Sequence, residues 1–404
     1  MLSNEFIKKI PKTDLHVHLD GSLRIPTLIE MAKKEKVEMP SYTEEGLREK
    51  VFKSKYNDLG EYLHGFMYTC AVLRNPENLE RVAYELAVDN QEEGVRYIEI
   101  RFAPQLHMDN KMMTMELILE SINKGLSRAK KEFNARKAVV DGLEPAFSYG
   151  IICCAMRMFG ASFSPFYANF YDLHKFSHPM DIIKMGALEL AKGIIRIRDS
   201  RGIPVVAFDL AGQEAGYPAG DFIDAYRFVH KNFMHKTVHA GEAYGAESIF
   251  QAITELYADR LGHAYYLFDK DKITDNDIEN KQKYVDDLAS YIAERRITIE
   301  VCLTSNLQTN PNLKNIKDHS FKKMLEKNIS TSICTDNRLV SNTTVSGELK
   351  LALENFTITP RMLKDLLLYG FKRSFYPGSY SEKRKYVRSV MNYIDQIMKE
   401  YKVV

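Results

Sequence analysis

The chain has 404 residues and a formal net charge of +2, with 45% hydrophobic and 27% charged residues. That balance, with no long basic stripe, leaves no electrostatic footprint for nucleic acid, and the apolar runs are too short and strand-like for a membrane-spanning helix. The five cysteines are odd in number with no Cys-x-x-Cys pair, which excludes a disulfide framework or thiolate zinc site as the organising feature; with no apolar signal core at the start, a cytoplasmic protein is expected, its oligomeric state open.

Residues 1–13 read as a short helical lead-in ending at Pro11. In strand one, residues 14–19, Leu15, Val17 and Leu19 alternate with Asp14, His16, His18 and Asp20, the period of two of a β-strand. His16 and His18 therefore share a face, and Asp20-Gly21 turns the chain beside them. Two imidazoles so placed can reach one metal ion, although an isolated His-x-His is more simply two ordinary histidines. Residues 22–75 are polar and Lys/Glu-rich, with breaks at Pro26, Pro40 and Gly46, and read as an inserted helical excursion. Asn75-Pro76 opens a helix with an N-cap and a first-position proline, and Gly94 ends it.

Strand two is 95–102, stopped by Ala103-Pro104, and a helix follows at about 114–138. Strand three is 146–153. Residues 159–179 then carry seven Phe or Tyr with a poor helical period, an insertion that reads equally as a flap over a pocket or a packed surface element. An amphipathic helix covers 181–201. Strand four is 203–212, strand five 237–242, strand six 260–264, strand seven 297–303 and strand eight 329–334. Helices lie between them at about 220–231, 246–258, 284–296 and 321–327, and helices fill most of the chain to Tyr401.

Eight strands alternating with helices predict an α/β fold, a (β/α)₈ TIM barrel, with additional helices inserted after strand one and an aromatic-rich insertion after strand three. No composition break divides the chain, so a single barrel domain over 1–404 is expected. In such a barrel the working residues lie at the C-terminal ends of the strands. His16, His18 and Asp20 fall there on strand one, Asp209 and Gly212 on strand four, His239 and Glu242 on strand five, His263 on strand six, and Asp336 and Asn337 on strand eight. Imidazoles with one carboxylate suit a divalent metal, zinc first. Glu242 and His263 are the available groups for moving protons.

These stretches carry a resemblance. Thr13-Asp14-Leu15-His16-Val17-His18-Leu19-Asp20-Gly21, Arg101-Phe102-Ala103-Pro104, Asp209-Leu210-Ala211-Gly212, His239-Ala240-Gly241-Glu242, Leu261-Gly262-His263 and Thr335-Asp336-Asn337, in this order, resemble the adenosine deaminase family of the amidohydrolase barrels. The resemblance implies zinc-dependent hydrolysis of adenosine, and of 2′-deoxyadenosine, to inosine and ammonia. It implies one zinc per chain held by His16, His18, His239 and Asp336. Glu242 would protonate purine N1, His263 would orient the attacking water and take its proton, and Asp336 would assist. For the substrate, a purine nucleoside, it implies contacts from His18, from the Gly212 N–H to N3 and from Asp20 to a ribose hydroxyl. Asn337 departs from a second aspartate common in the family, and its amide N–H would donate to N7 at any pH. Binuclear relatives use a strand-four lysine, which residues 203–212 lack. Adenine, methylthioadenosine, aminodeoxyfutalosine or an N6-substituted nucleotide remain alternative substrates, and a non-catalytic nucleoside-binding barrel remains an alternative class.

Overall fold

A computed structural model describes residues 2–109 and 111–403. Its centre is an eight-stranded parallel sheet in which each strand pairs with the next in sequence. The strands are β1 (Lys12–His18), β2 (Val95–Phe102), β3 (Ser148–Met156), β4 (Val205–Ala211), β5 (His235–Ala240), β6 (Arg260–His263), β7 (Thr298–Val301) and β8 (Thr331–Ile333). The ring closes just beyond β8. His18 N donates to Asp336 O at 2.7 Å and Asp336 N to His16 O at 2.8 Å, around a parallel bridge between Val17 and Asp336. The first histidine pair and the last expected ligand are thus fastened together by backbone.

Strand one starts two residues earlier than expected because Lys12 N donates to Gly94 O, which draws Lys12 and Thr13 into the ladder. It is also buried on both faces, as strands of a parallel sheet covered by helices are. Leu15, Val17 and Leu19 are fully enclosed, each worth about 1.5–3 kcal/mol of apolar burial. β3 runs three residues past its expected end, because Ala155 and Met156 still pair with Leu210 and Ala211. β7 and β8 are shorter than expected.

Both insertions are present. After β1 come four helices, Ile25–Glu35, Glu44–Lys50, Leu59–His64 and Phe66–Val72. The aromatic segment contains a real helix, Pro165–Leu173, despite its poor period. Ser164 caps it through Tyr167 N and donates its own hydroxyl to Gln105 O at 2.7 Å, while the Tyr167 hydroxyl reaches Gln105 Oε1 at 3.2 Å. The helix is therefore specified by its cap and by docking on the turn after β2, which a hydrophobic period does not register. All five cysteines are buried and unpaired. No helix among the described residues is long and apolar enough to cross a membrane.

Candidate functional site

The C-terminal ends of β1, β5, β6 and β8 bring their polar residues to one point. His18 Nε2 and His239 Nε2 are 3.3 Å apart, and Asp336 Oδ1 lies 3.4 Å from both His16 Nε2 and His18 Nε2. Ligand atoms of His16, His239, His263 and Asp336 all fall within 4.8 Å of one another. The donor set is already directed. His16 Nδ1 sits 2.9 Å from Glu300 Oε2, and His239 Nδ1 is 3.1 Å from Asp209 Oδ2. A ring nitrogen facing a carboxylate carries the proton, so both Nε2 atoms present lone pairs to the centre. His16 Nε2 is buried with no hydrogen-bond partner in the chain. Lone pairs turned on one another with a carboxylate among them repel unless a cation lies between. The 3.3–3.4 Å edges are those of ligands about 2.0–2.1 Å from one ion. The buried group whose ligand atoms come together is thus His16, His239, His263 and Asp336, with His18 Nε2 at its edge beside His239 and Asp336, and its chemistry fits one divalent ion.

Behind them lies a buried charge layer that the sequence reading did not assemble. Arg101 of β2 reaches Asp209 Oδ2 at 3.0 Å and Glu300 Oε2 at 2.7 Å, and Arg260 Nε reaches Glu300 Oε1 at 2.7 Å. Arg260 also pairs with Glu99. The two arginines hold Asp209 and Glu300 ionised, so that these carboxylates can orient His239 and His16. The signal was present: Glu99, Arg101 and Glu300 are charges set inside otherwise apolar strands.

Glu242 stands beside this centre, its Oε1 3.8 Å from His263 Nε2. Burial, with the negative charges of Asp336 and Glu214 added, pushes its carboxyl up to about 8. Its backbone is held by Glu214, a residue the sequence reading passed over. The Glu214 carboxylate accepts from Gly241 N (3.0 Å), Glu242 N (2.9 Å), Ala243 N (2.6 Å), Tyr244 N (3.1 Å) and Ser248 Oγ (2.6 Å). Asp336 accepts Ser305 Oγ at 2.6 Å. Two non-glycine residues of the site, His263 (φ 63°) and Asp336 (φ 60°), occupy the left-handed region. Backbone held there by its surroundings is a recurrent feature of functional sites.

The remaining expected residues are spread around this centre. Asp20 joins Cys70 and His107 in a second buried cluster. His107 Nε2 is 3.6 Å from Asp20 Oδ2, while Asp20 Oδ1 and both His107 nitrogens lack hydrogen-bond partners. Gly212 has φ 96°, and a Cβ there would meet Met156 Cε at an ordinary 3.4 Å. Glycine is thus required first by the backbone angle. Asn337 Nδ2 donates to Tyr62 Oη at 2.8 Å, and its Oδ1 is buried without a partner. A Cβ on Gly21 would lie 1.9 Å from Asn337 Oδ1, so Gly21 is there for close approach.

Comparison with known proteins follows the same lines. The family model described as adenosine deaminase matches residues 11–170 and 180–393. An adenosine deaminase of Clostridium botulinum (strain Langeland) is 33% identical over 389 residues, covering 96% of this chain and 98% of that protein. An adenine deaminase from Arthrobacter aurescens superposes with a TM-score of 0.73 at 19% identity, covering 96% of this chain and 99% of that one. An amidohydrolase from Burkholderia ambifaria, solved with bound zinc, gives 0.74 at 18% identity, covering 99% and 95%.

Proposed function

The chain belongs to the adenosine deaminase family of hydrolases, and from that membership we propose that it hydrolyses adenosine, and 2′-deoxyadenosine, to inosine and ammonia. The observation that carries this reading is Glu242: a buried carboxyl, held up to about 8, lying 3.8 Å from His263 and next to a directed metal-ligand set. A module that only binds nucleosides has no use for a carboxyl kept protonated at neutral pH, whereas attack at purine C6 needs a proton delivered to N1.

His16, His18, His239 and Asp336 would hold a single zinc ion. When bound, zinc lowers the pKa of water from about 15.7 to about 7 and so supplies a nucleophile at neutral pH. Glu242 holds a proton on its carboxyl and gives it to N1 as C6 becomes tetrahedral. His263 orients the attacking water, and the Asp336 carboxylate takes the water's proton and returns it to the amino group, which leaves as ammonia. The Gly212 N–H meets N3, and the remaining amide hydrogen of Asn337 meets N7. Asp20, with an unspent Oδ1, takes a ribose hydroxyl.

That last contact favours a nucleoside over free adenine, and a carboxylate there disfavours a 5′-phosphate. The test is loss of the ultraviolet band of adenosine on adding the zinc-loaded enzyme, with ammonia measured in parallel and adenine and methylthioadenosine as comparators. Adenosine as the fastest of the three is expected. Ammonia from none of them defeats the proposal, and adenine as the best substrate replaces it with the adenine reading.

A further inference from the structure

His263 is backed by two buried side chains that the proposed reaction does not use. The hydrogen-bond directions along them can be worked out from one end. A backbone N–H can only donate, and that of Phe321 donates to His319 Nδ1 at 3.0 Å. Burial pushes His319 down to about 3, so it is neutral and its one ring proton is on Nε2. His319 Nε2 lies 3.1 Å from Asn306 Oδ1. With a donor on that side, the oxygen end of the amide must face it, because the nitrogen end would oppose two donors. Asn306 Nδ2 then faces His263 Nδ1 at 3.3 Å. An amide nitrogen only donates, so His263 Nδ1 accepts. His263, Asn306 and His319 are each no more than 2% exposed, which leaves little room for water to offer another pairing.

We propose that Asn306 and His319 are positioning residues that lock neutral His263 into the tautomer with its proton on Nε2. Nε2 is the atom turned towards Glu242, at 3.8 Å. His263 therefore meets the attacking water as a hydrogen-bond donor. It orients the oxygen, and its Nε2 is already filled and not free to take the water's proton. Asn306 prevents the ring from flipping its proton to the far side, where it would point away from the chemistry. Only this consequence rests on the deamination reading; the tautomer stands or falls by itself.

The experiment is ¹⁵N NMR of the zinc-loaded enzyme labelled at its histidine rings, with the His263 signals identified by their loss in His263→Gln. The expected spectrum has His263 protonated at Nε2 and bare at Nδ1. Asn306→Asp keeps the shape but replaces the donor by a carboxylate, so the proton moves to Nδ1. With it kcat falls by about 10²-fold or more while KM changes little, as when an imidazole is held in the wrong tautomer. His319→Gln, which can still accept from Phe321 N and donate to Asn306, keeps the native pattern, whereas His319→Phe loses the single tautomer. Wild-type His263 protonated at Nδ1, or an unchanged tautomer in Asn306→Asp, overturns the proposal. Should a variant not fold, the wild-type spectrum alone decides. None of these spectra depends on which purine the enzyme prefers.

Discussion

The Glu214 carboxylate, in the loop after β4, accepts the backbone N–H of Glu242 at 2.9 Å, the central bond of a nest that fixes the loop after β5. The same charge raises the Glu242 carboxyl, after burial and Asp336, to about 8. In the proposed reaction Glu242 works as the protonated acid. Activity should therefore be present while that acid keeps its proton and fall as pH rises through its ionisation. Glu214→Gln removes one of the raising charges, so the alkaline limb of the kcat profile should shift to lower pH. Glu214→Ala should also cost about 1–3 kcal/mol of stability for each buried donor left unpaired. An unshifted limb in a folded Glu214→Gln enzyme would separate Glu214 from the acid.

Glu300 should be the most sensitive residue that never touches substrate. It neutralises Arg101 and Arg260 and directs His16. Glu300→Gln leaves two buried guanidinium groups undercompensated, and breaking a buried pair in this way costs about 3–5 kcal/mol. It should also weaken metal affinity about 10–100-fold, as loss of an orienting carboxylate does. Thermal unfolding with and without zinc separates the two effects. A variant with native stability and native zinc affinity would contradict the account of the charge layer.

These two residues show where sequence reading reached and where it ended. Strand existence was legible because each strand is an apolar run bounded by turn residues, and the place of the candidate site was legible because polar residues interrupt those runs at one end. The pairings were not. Arg101 meets Glu300 across 199 positions of sequence, and only ring closure puts them together. Glu214 looked like one more polar loop residue, since a nest of backbone donors leaves no mark on composition. The left-handed backbone at His263 and Asp336 was likewise hidden, because neither is a glycine.

The Asp20–His107 pair should set the preference between nucleoside and free base. A ribose hydroxyl donating to Asp20 Oδ1 satisfies an acceptor that otherwise has no partner. Asp20→Ala should raise KM for adenosine by about 10-fold or more, the worth of a hydrogen bond to a charged group, and leave the slow turnover of adenine unchanged. Equal effects on the two substrates would place the sugar elsewhere.

Asn337 makes the N7 contact testable by substrate editing. Its Nδ2 has one hydrogen committed to Tyr62 and one remaining. Wild-type enzyme should lose about 10-fold in kcat/KM on 7-deazaadenosine, near 1–1.5 kcal/mol for one neutral hydrogen bond. Asn337→Asp should lose activity on adenosine as pH rises, since a carboxylate cannot donate to N7, and should be less affected by the 7-deaza change. No penalty for 7-deazaadenosine in the wild type would mean that the contact is not made.

Metal content follows from the count of directed lone pairs. His16 and His239 each have Nδ1 committed to a carboxylate, so each offers one nitrogen. With His18 Nε2 and Asp336 Oδ1 as the proposed remaining ligands one set is full, and β4, Val205–Ala211, carries no lysine to bridge a second ion. Metal analysis should give one zinc per chain at full activity. Chelation should abolish turnover and lower the melting temperature, because zinc held a thousandfold above its Kd stabilises the native state by about 4 kcal/mol. The metal-free chain should still unfold cooperatively: the backbone bridge from His16 and His18 to Asp336 closes the barrel without the ion. His239→Ala should remove the zinc-dependent rise in melting temperature along with activity. Two zinc ions per chain at full activity, or a melting temperature indifferent to zinc in the wild type, would require a different ligand set.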